Sequence, residues 1–122
     1  MLELGFPLGA GTDATVVSSI NPWLSLWWLV SGRTFGGPRR AAEHRLTREQ
    51  ALGLYTRGSA WFSSEEHERG TLAAGALADL AVLDADYFGI DEDALPSVRS
   101  ELTIVDGAVV HAGHAFAGAR SG

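Results

Sequence analysis

The acidic side chain best placed to do chemistry is Asp13, which follows the short apolar run Phe6-Pro7-Leu8-Gly9-Ala10-Gly11 and Thr12. A carboxylate at the end of such a run can ligate a metal and accept a proton. It can equally well cap or turn the chain after a strand. The other candidate ligands are four histidines, His44, His67, His111 and His114. His44 falls in a polar loop and His67 in a Glu-rich turn, where both are solvated. His111 and His114 are three apart, a spacing that shares a face only on a helix, and their segment reads as a strand entering a Gly-rich tail. There is no Cys and no Lys, and all nine basic residues are Arg. Thiolate sites, disulfides and Cys nucleophiles are therefore excluded from this chain. One carboxylate does not make a catalytic zinc site, which takes about three protein ligands.

The bulk numbers bound the answer. The chain has 122 residues, 46% hydrophobic and 20% charged, which suits one modest core and argues against disorder. A net charge of −6 argues against a nucleic-acid partner, since phosphate binding needs a positive face. No run of residues approaches the ~20 apolar positions of a membrane span, and the start Met1-Leu2-Glu3-Leu4-Gly5 lacks the pattern of a signal peptide. Together with the missing cysteines this fits a cytoplasmic protein.

The elements that must position Asp13 follow from local signals. Residues 1–5 read as the end of an element, with Gly5 as a C-cap, and residues 6–11 as a buried strand. Asn21-Pro22 opens a helix, with Asn as N-cap and Pro in the first turn, and Gly32 closes it. Trp23, Trp27 and Trp28 give that helix a large apolar load; core or interface packing is one use for it, a substrate-lining wall the other. Residues 33–45 form a polar, Gly-rich loop. Thr47-Arg48-Glu49-Gln50 is a capping box, and the helix it opens runs to Gly58. Ser59–Phe62 continues as a short turn, and another turn through Glu65–His67 closes at Gly70. Strands are predicted over 78–84, 102–105 and 108–111. Asp106-Gly107 forms a type I′ hairpin turn, a weak helical turn lies near 91–95, and 113–122 is a loose tail. Composition shifts near residue 70. Neither piece reads as an independent domain, because one has a lone strand and the other a sheet with a face to cover.

Four segments, in order, resemble the amidohydrolase superfamily, most closely its amidohydrolase 3 branch. Gly11-Thr12-Asp13-Ala14 is similar to a "G-(S/T)-D-A" motif. Residues 46–60, Leu46-Thr47-Arg48-Glu49-Gln50-Ala51-Leu52 with Tyr55-Thr56 and Ala60, resemble "L-T-x-E-x-A-L-x-x-Y-T-x-x-x-A". Residues 70–84 resemble "G-S-L-x-P-G-K-x-A-D-L-V-V-L-D", and 103–110 resemble "T-I-V-D-G-K-V-V-Y". Ala74, Ala76 and Thr15 depart from the pattern, standing where the family usually has Pro, Lys and Pro.

The resemblance implies an α/β or α+β fragment. Residues 1–69 would be the last strand and helices of a (β/α)₈ barrel, and 70–122 strands of a small β-sandwich. It further implies a divalent metal, usually zinc, in the complete enzyme, with Asp13 as metal ligand and proton acceptor and with the other ligands supplied from outside this chain. Arg33 resembles an arginine that meets a substrate carboxylate; a solvated loop arginine is the alternative. The resulting expectation is a piece of a C–N hydrolase that is inactive alone, its partner being the remainder of the enzyme or a second copy by strand exchange. The competing expectation is a self-associating module without catalysis.

Overall fold

The computed structural model describes residues 5–14, 19–34 and 37–120. The readings of residues 1–4, Thr15, Phe35-Gly36 and the last two residues lie outside them. Helix α1, Pro22–Ser31, is delimited as its sequence dictates. Asn21 Oδ1 accepts from Trp23 N, and Gly32 adopts φ +66° and donates its N–H to Trp28 O at 3.0 Å. The cap also does long-range work, since Asn21 Nδ2 donates to Pro96 O at 2.9 Å. Helix α2, Arg48–Gly53, starts in the predicted reciprocal box: Gln50 N donates to Thr47 Oγ1 at 3.2 Å and Thr47 N to Gln50 Oε1 at 2.9 Å.

Gly58 does not end this helix. The chain passes through a π-helical turn, Leu54–Gly58, into α3, Ser59–Phe62, with Gly58 at φ −64°. The glycine is there for contact. A Cβ at Gly58 would lie 2.1 Å from Leu8 O and 3.0 Å from Gly9 Cα, and a Cβ at Gly9 would lie 2.9 Å from Gly58 O. Two glycines thus let the 8–10 segment touch the helix backbone to backbone. Ala10 N donates to Leu54 O at 3.0 Å, and Ser59 Oγ lies 2.9 Å from Ala10 O and 3.0 Å from Leu54 O, its single proton serving either. Alanine is worth roughly 1 kcal/mol more than glycine in a helix interior, yet Gly58→Ala should destabilise by about 1–3 kcal/mol, because the atoms it meets are backbone and cannot swing away. Thermal unfolding checks the sign.

The expected buried strand over 6–11 is corrected. The described residues 5–13 form no strand, and Phe6 is 66% exposed. A strand exists by its ladder, and the backbone partner recorded for this segment is a helix carbonyl rather than another strand.

The sheet is antiparallel in the order β1-β2-β3: β1 Leu80–Leu83, β2 Ser100–Val105, β3 Ala108–Ala112. Leu80 faces Ile104, Val82 faces Leu102, and Val105 faces Ala108. The turn Asp106-Gly107 has φ +50° and +76°, the type I′ signature. Asp79 pins it by accepting Asp106 N at 2.7 Å and ties it to Arg69 at 2.6 Å. Between β1 and β2 a 3₁₀ stretch, Glu92–Ser97, lies against α1. The tail is not loose through Arg120: 3₁₀ turns over His114–Arg120 follow a Gly113 N to Glu101 O bond of 2.7 Å. Val82, Val105 and Val110 are exposed.

One core joins the helices to the later half. Leu26, Ala51, Tyr87 and Leu95 are buried together, with Trp23, Trp27, Leu46, Leu52 and Leu83 packed around them. Arg48 clasps the same seam: it donates to Tyr87 O and, at 2.6 Å, to Ile90 O, while Tyr87 Oη donates to Arg48 O at 3.1 Å. Burial pushes the Tyr87 phenol up from its usual range. The architecture is a small α/β chain with three antiparallel strands. No helix of the described residues is long and apolar enough to cross a membrane.

Candidate functional site

A cavity of about 340 Å³ opens between the 10–12 segment, α1 and the π-helical turn. Gly11 and Thr12 line it from one side, Trp28 from α1, Tyr55 from the π-helical turn, and Arg33 and Arg40 from the loop after α1. Two features singled out in the sequence, the Gly11-Thr12 pair and Arg33, therefore meet on one cavity. Trp28 lines it as well, which gives part of the Trp-rich helix a wall to form, whereas Trp23 and Trp27 pack against the core. Asp13 is the next residue along from Thr12. It is exposed, adopts φ +48°, and is not itself among the lining residues. Aspartate tolerates this left-handed conformation better than most side chains.

Arg33 is held in place while its side chain stays partly solvated. Its backbone N donates to Ser31 Oγ at 3.0 Å, and its guanidinium donates to Asp93 Oδ1 on the 3₁₀ stretch. Arg39 reinforces the arrangement, donating Nε to Ser31 O at 3.0 Å and pairing with Glu92 at 3.7 Å. The Arg33 hydrogen bond, with its charge, holds the Asp93 carboxyl below the ordinary aspartate range, and the same contact raises Arg33. The side chains are 40% and 61% exposed, so water and salt screen the pair. Because the folded-state pKa of Asp93 is depressed, its contribution to stability is present above the unfolded value and fades as pH falls through the folded one. An NMR titration of the Asp93 carboxyl should give a midpoint below that of a free aspartate, and Arg33→Gln should return it upward. An unchanged midpoint would contradict the pairing.

Arg40 and Tyr55, which line the cavity, and Asp93, which anchors Arg33, were not legible as site residues, because the chain reversals that place them carry no local signal. None of the four histidines lines this cavity. His44, His67 and His114 are exposed, and His111, also exposed, has Nε2 3.1 Å from Ser100 O. Among the described residues no group of three or more His, Asp or Glu side chains is arranged to hold a metal ion. Asp13 alone does not amount to a metal site, and no metal-dependent step follows from these residues by themselves. A second cavity, of about 620 Å³, lies between the helical stretch and the sheet, lined by Trp23, Tyr55, Arg69, Leu72, Asp79 and Leu83.

The family model for the amidohydrolase family matches residues 1–111. The chain is 31% identical over 114 residues to "Putative amidohydrolase YtcJ" of Bacillus subtilis (strain 168), an alignment covering 91% of this chain and 21% of that protein. It is 29% identical over 107 residues to the N-substituted formamide deformylase of Arthrobacter pascens, covering 88% and 20%. Its fold resembles part of an amidohydrolase from Thermotoga maritima MSB8, with a TM-score of 0.66 at 19% identity over 91% of this chain and 24% of that one. The chain thus spans about a fifth of the length of the relatives it matches. With its motif order, its fold and a match over nearly its whole length in agreement, this chain belongs to the amidohydrolase family.

Proposed function

We propose that this chain is the C-terminal portion of a metal-dependent amidohydrolase acting on non-peptide C–N bonds. In that reading residues 1–69 complete a (β/α)₈ barrel and 70–122 contribute strands to a β-sandwich, in a cytoplasmic enzyme. Asp13 is its catalytic carboxylate, and the Gly11-Thr12 and Arg33 cavity is one wall of the substrate site. The carrying observation is the family match over residues 1–111, with those two sequence features meeting on one cavity. A divalent metal, zinc by the resemblance, would supply a water of lowered pKa and a polarised carbonyl. Asp13 would be this chain's ligand to it, and the remainder of the enzyme would bring the others. Alone, the chain binds no catalytic metal and hydrolyses nothing.

Two experiments test this. The purified chain, incubated with Zn²⁺ and an N-substituted formamide, should release no amine. Hydrolysis abolished by Asp13→Ala would overturn the claim of incompleteness. Conversely, the chain should sustain formamide hydrolysis when it replaces the matched segment of the Arthrobacter pascens deformylase, and a folded but inactive chimaera would count against the catalytic role.

A second reading, a self-associating module, has its own support. Phe6, Phe62 and Leu72 are 66%, 62% and 83% exposed, and β1 and β3 are sheet edges among the described residues. Such surfaces seek partners. A monomer by size exclusion with light scattering would remove this reading.

A further inference from the structure

We infer that Ser59 is a positioning residue for Asp13: its hydroxyl grips the backbone of Ala10, and through that grip it sets the segment that carries the carboxylate. The inference deepens the hydrolase proposal, on which it rests for the catalytic meaning of Asp13.

Ala10 is held at both of its backbone polar groups. Its N–H donates to Leu54 O at 3.0 Å, and its carbonyl lies 2.9 Å from Ser59 Oγ. Both holds come from one place, the π-helical turn Leu54–Gly58 and the first residue of α3 after it. Such turns recur at functional sites, where they let a helix serve a neighbour. Leu54 O takes Ala10 N from outside the helix and also lies 3.0 Å from Ser59 Oγ, so the hydroxyl sits between the two carbonyls. A carbonyl needs a donor, and Ser59 has one proton to offer. Alanine at 59 would leave Ala10 O without it.

The grip acts from behind the site. Ala10, Gly11 and Thr12 line the 340 Å³ cavity, whereas Ser59 lines the 620 Å³ one and not the first. Gly11 stands in open space, since a Cβ there would meet nothing within 4 Å. Support therefore reaches the wall at Ala10, three residues before Asp13, from a side chain that a substrate in the 340 Å³ cavity does not touch. A residue so placed governs how the carboxylate is aimed and not how tightly the substrate is held. Its loss belongs in kcat and leaves KM alone.

The test has two arms. In the 122-residue chain, Ser59→Ala should speed exchange of the Ala10 amide roughly tenfold relative to the amides of β2, as the loss of one hydrogen bond allows. In the deformylase chimaera, the same change should lower kcat for an N-substituted formamide about ten- to hundredfold with KM unchanged. Ser59→Thr keeps the hydroxyl and should recover most of that loss. Ser59→Cys, a similar shape with a weaker donor, should fall between, and it serves in both arms if the alanine variant does not fold. Thr56→Val is the control: Thr56 Oγ1 donates to Leu52 O at 3.0 Å on the same helical stretch, so its loss weakens the helix without releasing Ala10. Its kcat should match the parent's.

Unchanged exchange at Ala10 would overturn the tether. Unchanged kcat, a raised KM with kcat intact, no recovery in a folded Ser59→Thr, or an equal loss in Thr56→Val would overturn the positioning role. A parent chimaera that is folded and inactive would sink the hydrolase reading and the catalytic half of this inference together, while the exchange arm still decides the tether.

Discussion

Asp13→Asn, made in the deformylase chimaera, should lower formamide turnover by about a thousandfold while leaving the melting temperature unchanged. The magnitude is that of losing a positioned general base, roughly 10²–10⁴-fold. The choice of asparagine follows from the backbone. At φ +48° a residue without a short polar side chain is strained by about 1–2 kcal/mol, so Asp13→Ala mixes lost chemistry with a disturbed turn. Asparagine shares aspartate's tolerance of that conformation and removes only the charge and the capacity to take a proton. Turnover and melting should therefore separate in Asp13→Asn and move together in Asp13→Ala. A chimaera whose turnover falls by less than about tenfold on Asp13→Asn would leave Asp13 as a turn residue and nothing more.

The parts of the fold that were legible are those specified within a few residues. Asn21-Pro22 and Gly32 bracket α1 because an oxygen acceptor, a preset φ and a left-handed cap are each local chemistry. The Thr47-Gln50 box is a reciprocal pair four residues long, and Asp106-Gly107 takes two positive φ angles that few dipeptides accept. What failed depends on distant partners. Residues 6–11 have the composition of a strand, yet a strand needs a neighbour, and the neighbour recorded here is a helix. Gly58 has the composition of a helix stop, yet it is retained for contact with Leu8, fifty residues earlier.

The site divides along the same line. Arg33 was singled out by its resemblance to an arginine of the family, but its anchor Asp93 lies sixty residues away and becomes its partner only when the 3₁₀ stretch folds onto α1. Arg40 and Tyr55 belong to segments whose sequence reads as polar loop and helix, and only the return of the 8–12 segment onto the π-helical turn makes them walls of a cavity.

Leu95→Ala should cost about 2–5 kcal/mol, a large share of the 5–15 kcal/mol that holds a typical domain, and should do so in a single transition seen from both halves of the chain. Leu95 is fully buried on the 3₁₀ stretch and packs with Leu26, Ala51 and Tyr87, so its cavity opens at the junction of α1, α2 and the segment after β1. The surroundings have little freedom to collapse into it. Pro96, its neighbour, is tied by its carbonyl to the Asn21 cap, and Arg48 holds the opposite wall through Tyr87 and Ile90. Trp23 and Trp27 report on the helical half by fluorescence, and amide exchange in β2 reports on the sheet. If one core stabilises both, the two signals shift to lower denaturant together. Leu72→Ala is the control: at 83% exposure it should stay within about 0.5 kcal/mol of the parent. Loss of sheet protection in Leu95→Ala with the tryptophan transition unmoved would mean that the halves on either side of residue 70 fold separately. The shared core would then be a contact between two units rather than the reason either one is stable.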